Sequence, residues 1–260
     1  MSALQGVGVL VTRPEQQAMP LCRLLEIQGA GTLRLPAVEI KPIGNRRETA
    51  ARLGALADFD VIVFTSSNAV RFGTSLLDQQ RDLTLAAIGP ATARTLNQAG
   101  YRVAVQPPDG TFDSESLLLH PRLEHPAGCR ILIIKGSNGR PFLEDELTRR
   151  GAQVVTADVY QRVPATPSHA VLAAVLERFT AGAVQVITAT SLEIAGNLLA
   201  MATPALRDQF GRAHWLVPGE RIAAGLRERG LLSPLVMAAS AEDHDLVEAL
   251  IRWRSSVSGA

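Results

Sequence analysis

Two stretches of this chain, 122 positions apart, overlay without a gap. Val9 to Pro42 reads VLVTRPEQQAMPLCRLLEIQGAGTLRLPAVEIKP, and Ile131 to Pro164 reads ILIIKGSNGRPFLEDELTRRGAQVVTADVYQRVP. Leu10 falls on Leu132, Leu21 on Leu143, Leu25 on Leu147, Gly29 on Gly151 and Pro42 on Pro164. Each copy reads as a strand, a loop, a helix closed by glycine and a second strand. The overlay continues. Val61-Ile62 and Thr65-Ser66 fall on Val186-Ile187 and Thr190-Ser191, while Gly89, Leu96 and Gly100 fall on Gly219, Leu226 and Gly230. A last helix follows in each half, from Thr111 and from Ser240; Ser240 with Asp243 reads as a capping box with Asp in place of Glu.

A chain that repeats itself this way must repeat its architecture. Strands alternating with helices predict a parallel sheet with helices on both faces. The short strands VIVF (Val61 to Phe64) and ILII (Ile131 to Ile134) are apolar at every position, as covered sheet faces require. The expectation is an α/β protein of two doubly wound, flavodoxin-like parallel-sheet lobes, about five strands each. One open ten-stranded sheet is the alternative, which the completeness of the repeat disfavours. The stretches 37–48 and 159–169 occupy equivalent places in the repeat and each ends a strand on proline, so they read as paired crossings between lobes.

The bulk numbers exclude several classes. Among 260 residues, 26 Lys and Arg face 25 acidic side chains, so the net charge of +1 gives no global field to recruit nucleic acid or a membrane surface. Cys22 and Cys129 are far apart and in no metal-ligand spacing, which fits a reducing compartment. The N-terminus lacks the pattern of a signal peptide, and no apolar run approaches the ~18 residues of a membrane span. The chain therefore reads as cytoplasmic. KGSNGR is no Walker loop, GVGVLV precedes its strand and so is no dinucleotide fingerprint, and there is no G-x-S-x-G. The five histidines show no metal spacing and read as surface residues.

What remains is a pattern at the strand ends. In open parallel sheets ligands sit beyond the carboxyl ends of the strands, where helix N-termini present free N–H groups. Those junctions carry Arg13, then Thr65, Ser66, Ser67 and Asn68, then Gly89 and Thr92, then Lys135 and Gly136, then Thr190 and Ser191. Taken singly, each hydroxyl is explained by helix capping, worth about 1 kcal/mol. Taken together they read as a surface that accepts several anionic groups through neutral donors and a few bases. Tyr160, one of two tyrosines, ends a strand at the second crossing and is either a hinge-packing side chain or a phenol facing the ligand.

The series VLVTRP, FDVIVFTSSNAV, AIGPATARTLNQAGY, the Ile131–Pro164 block and VITATS resembles, in order and over nearly the whole chain, the uroporphyrinogen-III synthase family. The resemblance implies closure of hydroxymethylbilane, a linear tetrapyrrole, to uroporphyrinogen III with inversion of ring D. No cofactor or metal is implied. It implies two flavodoxin-like lobes with the active site between them: residues 1–36 plus 167–260 as one, 37–166 as the other, and linkers near 37–42 and 160–167. It places the family's serine and threonine on Thr65 and Ser66, its turn threonine on Thr92, and its proposed acid on Tyr160. VPGERIA, Val217 to Ala223, departs from the family's hydroxyl-bearing turn. A monomer, in transient contact with the preceding pathway enzyme, is the corresponding expectation for partners. A two-lobed, non-catalytic sensor for an anionic metabolite fits the repeat equally well.

Overall fold

The structure, a computed structural model, describes residues 2–77, 82–108 and 111–258. The chain begins with β1 (Gly8–Val11), α1 (Glu15–Ile27) and β2 (Gly31–Arg34), then β3 (Val38–Pro42) and α2 (Arg46–Leu53). There follow β4 (Val61–Phe64), α3 (Ser67–Gly73), β5 (Leu85–Ala87), α4 (Pro90–Gln98), β6 (Val103–Val105), and the single-turn helices α5 (Ser114–Leu117) and α6 (Pro121–Glu124). Next come β7 (Arg130–Gly136), α7 (Phe142–Arg149), the long β8 (Gln153–Pro164) and α8 (His169–Thr180). The remainder is β9 (Val186–Thr188), α9 (Leu192–Met201), α10 (Pro204–Arg212), β10 (His214–Pro218), α11 (Gly219–Glu228), β11 (Leu235–Ala238) and α12 (Asp243–Ser258).

These elements build a mixed α/β protein with two sheets, not one. One sheet has the order β11-β10-β9-β1-β2 and the other β3-β8-β7-β4-β5-β6. The first is parallel throughout, with Val9 opposite Thr32 and Val186, and Leu216 opposite Thr188 and Val236. In the second, β8, β7, β4, β5 and β6 are parallel neighbours. β3 runs against β8: Ile43 N–H donates to the Val159 carbonyl at 3.1 Å and Ala165 N–H to the Ala37 carbonyl at 3.2 Å. By internal contacts the chain divides into two compact units, Met1–Glu39 with Val163–Ala260, and Ile40–Arg162.

In the second unit the apolar strands feed two cores. Ile62 and Phe64 pack with Leu132, Ile134, Val70 and Leu96 on one face, against α3 and α4. Val61 and Val63 pack with Ile131, Ile133, Leu117 and Leu147 on the other, against α5 and α7. Strands covered on both faces are apolar at consecutive positions, because alternate side chains enter different cores. In the first unit Val9, Val11, Val186 and Leu216 pack on Leu21, Leu25, Leu246 and Leu250, from α1 and α12. Trp215, fully buried, donates its indole N–H to the Phe210 carbonyl at 2.9 Å.

Two sequence expectations change here. Ser240 does not cap α12: its hydroxyl accepts the Glu242 N–H at 3.0 Å, while the Asp243 carboxylate is taken by the Arg13 guanidinium. The expected capping box fails because its acid has a charged partner 230 residues away. His214 is not a surface residue either. It is half-buried against Trp253, ring centroids 4.8 Å apart, and burial lowers its pKa from the ordinary imidazole value.

Gly8 explains the first of the glycine-rich stretches. A Cβ placed there would lie 1.8 Å from the Ala183 carbonyl oxygen. The bare backbone lets Gln185 close on β1 from both sides: its side-chain oxygen accepts the Gly8 N–H at 2.7 Å, and its own N–H donates to the Gly8 carbonyl at 2.9 Å. Gly8→Ala must push the chain at Ala183 off β1, an overpacking cost of about 3 kcal/mol. Gly31, Gly8's partner in β2, has nothing within 4 Å of an added Cβ. Denaturant titration should show a large loss for Gly8→Ala and a loss under about 1 kcal/mol for Gly31→Ala; equal stability of the two variants would contradict the packing account.

Candidate active site

The carboxyl ends of β4, β5 and β7, with Tyr160 and Arg162 from within β8, border a cleft of about 390 Å³ in the second unit. Thr65 and Ser66 enter it after β4 and Ile88 after β5. Lys135 and Gly136 enter at the end of β7, with Ser137 to Arg140 in the loop beyond. Tyr160 and Arg162 enter from β8, Phe112, Asp113 and Ser114 from the start of α5, and Leu143 and Glu144 from α7. Glycines, hydroxyls and bases therefore gather over an apolar floor of Ile88, Ile133 and Leu143.

Three local devices fix the floor's polar end. The first is Ser66, in extended geometry (φ −161°, ψ 163°), whose hydroxyl oxygen accepts the Ala69 N–H at 3.1 Å and so starts α3. The second is a slip in the β7–β8 ladder. Lys135 lies opposite Asp158, but Gly136 lies opposite Tyr160, so one residue of β8 is skipped. A bulge of this kind re-aims a side chain. The third is Gly136 itself: an added Cβ would stand 2.6 Å from Cζ of the Tyr160 ring and 3.0 Å from its hydroxyl. The ring thus lies on bare backbone. Phe72 stacks on it with centroids 6.0 Å apart and planes at 28°, and the Tyr160 and Ser66 hydroxyls are 3.0 Å apart.

The charged groups are paired across the rim. Lys135 Nζ donates to the Glu144 carboxylate at 2.9 Å, with only 15% of the lysine side chain exposed. Arg140 reaches Glu115 at 3.4 Å, an exposed pair that water largely screens. Asp113 caps α5 by accepting the Ser116 N–H at 2.7 Å, and that hydrogen bond, with one from the Ser116 hydroxyl, holds its carboxyl below the usual range. Among the described residues no cluster of three or more His, Cys, Asp or Glu could hold a metal ion, and no helix is long and apolar enough to cross a membrane. The arrangement sets hydroxyls, backbone and two ion-paired bases beside one phenol.

Comparison with known proteins shows the family of the chain. The family model described as uroporphyrinogen-III synthase HemD matches residues 20–248. The chain belongs to the uroporphyrinogen-III synthase family. The uroporphyrinogen-III synthases of Escherichia coli strain K12 and Salmonella typhimurium strain LT2 are 32% and 31% identical to it over 255 residues, which is 94% of this chain and 100% of theirs. Its fold is shared with uroporphyrinogen-III synthetase from Helicobacter pylori 26695 (TM-score 0.62, 16% identity, 95% of this chain and 99% of that one). It is also shared with a mutant uroporphyrinogen III synthase from Thermus thermophilus (TM-score 0.56, 21% identity, 98% and 100%). The protein is accordingly an enzyme, a cyclising lyase of tetrapyrrole biosynthesis, and the reading as a non-catalytic sensor is not favoured.

Of the residues singled out from the sequence of this synthase-family chain, Thr65, Ser66, Lys135, Gly136 and Tyr160 share the cleft. Thr65 turns partly away, its N–H and hydroxyl both donating to the Ile134 carbonyl at 3.2 and 3.4 Å. Ser67 and Asn68 lie in the first turn of α3, with Asn68 buried, and do not line the cleft. Gly89 is the residue before α4, and Thr92, 4% exposed, is buried on that helix; neither is in the lining. Arg13, Thr190 and Ser191 belong to the other unit. There Ser191 caps α9 through the Ile194 N–H at 3.2 Å, and Arg13 is 7% exposed, donating to Asp243 and to the Ala241 carbonyl. Sequence reasoning missed Phe112, Asp113, Ser114, Glu144 and Arg162. The only signal for any of them was the FDS start of the helix read from Thr111.

The fit of Gly136 under Tyr160 makes a sharp prediction. Gly136→Ala should lift the ring away from Ser66 and lower kcat by about tenfold or more. The unfolding free energy should fall by about 1–3 kcal/mol. Steady-state kinetics beside a denaturation curve checks both, and wild-type turnover by a folded Gly136→Ala would mean that the position of the ring does not matter.

Proposed function

We propose that the protein converts hydroxymethylbilane to uroporphyrinogen III, inverting ring D and releasing water, and that the cleft with Tyr160 is where the terminal hydroxyl departs. The observation that carries this reading is the phenol fixed by Ser66 and Gly136 in a cleft lined with hydroxyls and bases, in a chain of this family. The substrate is an octacarboxylate. Lys135, the hydroxyls of Thr65 and Ser66, and the backbone around Gly136 suit some of its carboxylates. Ser67, Asn68, Gly89, Thr92, Arg13, Thr190 and Ser191 are proposed as further contacts, on their position at strand ends.

In the proposed mechanism Tyr160 lends its proton to the ring A hydroxyl, the carbon–oxygen bond breaks, and water leaves an azafulvene cation. The substituted carbon of ring D attacks it to form a spiro intermediate, which fragments and recloses with the ring inverted. The proton lent is returned when the closed macrocycle rearomatises. The bilane supplies its own leaving group and nucleophile, so the protein's part is to hold the chain in a productive curl and assist the departure. No cofactor or metal enters this scheme.

The finer architecture is proposed as well. The strand orders support two doubly wound, flavodoxin-like lobes derived from an internal repeat: β2-β1-β9-β10-β11 in one unit runs as β8-β7-β4-β5-β6 does in the other. Overlaid by sequence, β1 and β2 match β7 and β8, and β9 to β11 match β4 to β6. Lobes at 1–36 plus 167–260 and at 37–166, joined near 37–42 and 160–167, are supported by the two contact units. A cytoplasmic monomer that meets the preceding pathway enzyme transiently completes the proposal.

The test uses enzymatically made hydroxymethylbilane with separation of product isomers. The wild type should give the type III isomer at full rate after treatment with chelator. Tyr160→Phe removes only the hydroxyl, and should lower turnover about tenfold to a hundredfold while the product stays type III. Type I product at the no-enzyme rate from the wild type would defeat the assignment, and normal turnover by Tyr160→Phe would leave the tyrosine a packing residue.

A further inference from the structure

We propose that Ser66 is a positioning residue that acts through Tyr160: it donates its hydroxyl proton to the phenol oxygen and thereby leaves the phenol proton free to face the cleft. This rests on the reading of Tyr160 as the proton donor. It replaces direct carboxylate binding as the main task of Ser66. The geometry carries it in three steps.

A serine hydroxyl has one proton to give and lone pairs to receive with. The Ser66 oxygen already receives the Ala69 N–H at 3.1 Å. Among the described residues its other hydroxyl partner is the Tyr160 oxygen at 3.0 Å, a pair in which either atom can donate. In either direction one proton is shared and the other faces the cleft; if Tyr160 donated, the proton left facing it would be the serine's. If Ser66 donates, it is the phenol's, the more acidic of the two. The Ala69 N–H polarises the serine, the serine proton binds the phenol oxygen, and the phenol proton is the one that points outward. Hydrogen bonds arranged head to tail in this way strengthen one another. In this direction the chain also stabilises the phenolate left after proton transfer, because a donor already lies on its oxygen.

The surrounding structure is built to hold that pair. Gly136 admits the ring, the β7–β8 slip aims it, Phe72 covers one face, and the Ser137 N–H donates to the Tyr160 carbonyl at 3.0 Å. Ser66 is equally fixed, because it must stay in extended geometry for α3 to begin. The cap and the chemistry thus share one oxygen, and the two functions can be separated by choosing what replaces it.

The experiment is a double-mutant cycle on kcat with hydroxymethylbilane: wild type, Ser66→Ala, Tyr160→Phe and the double variant. Ser66→Ala should lower kcat by about threefold to tenfold in the wild type. In the Tyr160→Phe background it should lower kcat by less than about twofold, because the group it acts on is gone. Ser66→Thr, which keeps a hydroxyl, should restore most of the loss. Ser66→Asp supplies the second handle: its carboxylate keeps the cap but can only accept, so it turns the phenol proton inward. It should lower kcat at least as far as Ser66→Ala with an unchanged melting temperature, and raise KM in both backgrounds because the added charge repels the substrate's carboxylates.

An equal loss from the serine change in both backgrounds would overturn the proposal and return Ser66 to capping or carboxylate binding, with the Tyr160 reading intact. Normal turnover by Tyr160→Phe alone would overturn the Tyr160 reading and this proposal with it. Ser66→Asp with wild-type kcat would overturn the proposed direction of the hydrogen bond.

Discussion

All strands of a parallel sheet end on the same edge, and this constraint organises the protein. Most strands feed a helix start, so hydroxyls needed to begin helices and donors able to meet a ligand compete for the same few positions. Ser66 and Ser191 show the structural half of that competition, each capping the helix that follows its strand. At Ser66 the same oxygen also meets a phenol. The cleft of the second unit arises where β4 and β7 end beside β8, which runs on past them, and the loop after β7 brings Arg140 into the lining.

Within that edge the decisive contact is between a ring and a missing side chain. Tyr160 can lie across β7 only because position 136 carries no Cβ. The ladder slip between Lys135 and Gly136 turns Tyr160 to the cleft, while Ala157 and Val159 stay in the core. Packing, register and hydrogen bonding therefore agree on one ring position, and preorganisation of this kind is how a weak acid such as a phenol becomes useful. The paired charges around it, Lys135 with Glu144 and Arg140 with Glu115, hold these two bases in ion pairs before an anionic ligand arrives.

How much of this the sequence told depends on distance along the chain. The two-sheet α/β plan was legible because strand-end signals recur at a constant offset and apolar strands such as VIVF have one reading. Thr65, Ser66, Lys135 and Gly136 could be named because each stands at a strand end, and a parallel sheet puts strand ends on one edge; Tyr160 does not end its strand as the sequence suggested, because β8 runs on to Pro164, and it reaches the cleft by lying opposite the last residue of β7. Arg13 illustrates the limit. Its partner Asp243 is 230 residues away, so nothing local distinguishes a base held in an ion pair from one facing a ligand. The same pair removed Asp243 from the capping box read at Ser240. The ladder slip beside Gly136 and the place of Phe112 over Gly89 are set by tertiary contacts, which no local pattern encodes.

The central claim is that chemistry occurs where Tyr160 lies on Gly136. The most direct measurement is a crystal structure of the full chain with uroporphyrinogen III bound. The account predicts product carboxylates within about 3.2 Å of donors among Lys135 and the Gly136–Arg140 backbone. It also predicts the Tyr160 hydroxyl facing the carbon that lost its oxygen, with space between them for no more than one water. Product bound with its carboxylates on other groups, and with Tyr160 shielded from it by Phe72 or by side-chain rotation, would contradict the account.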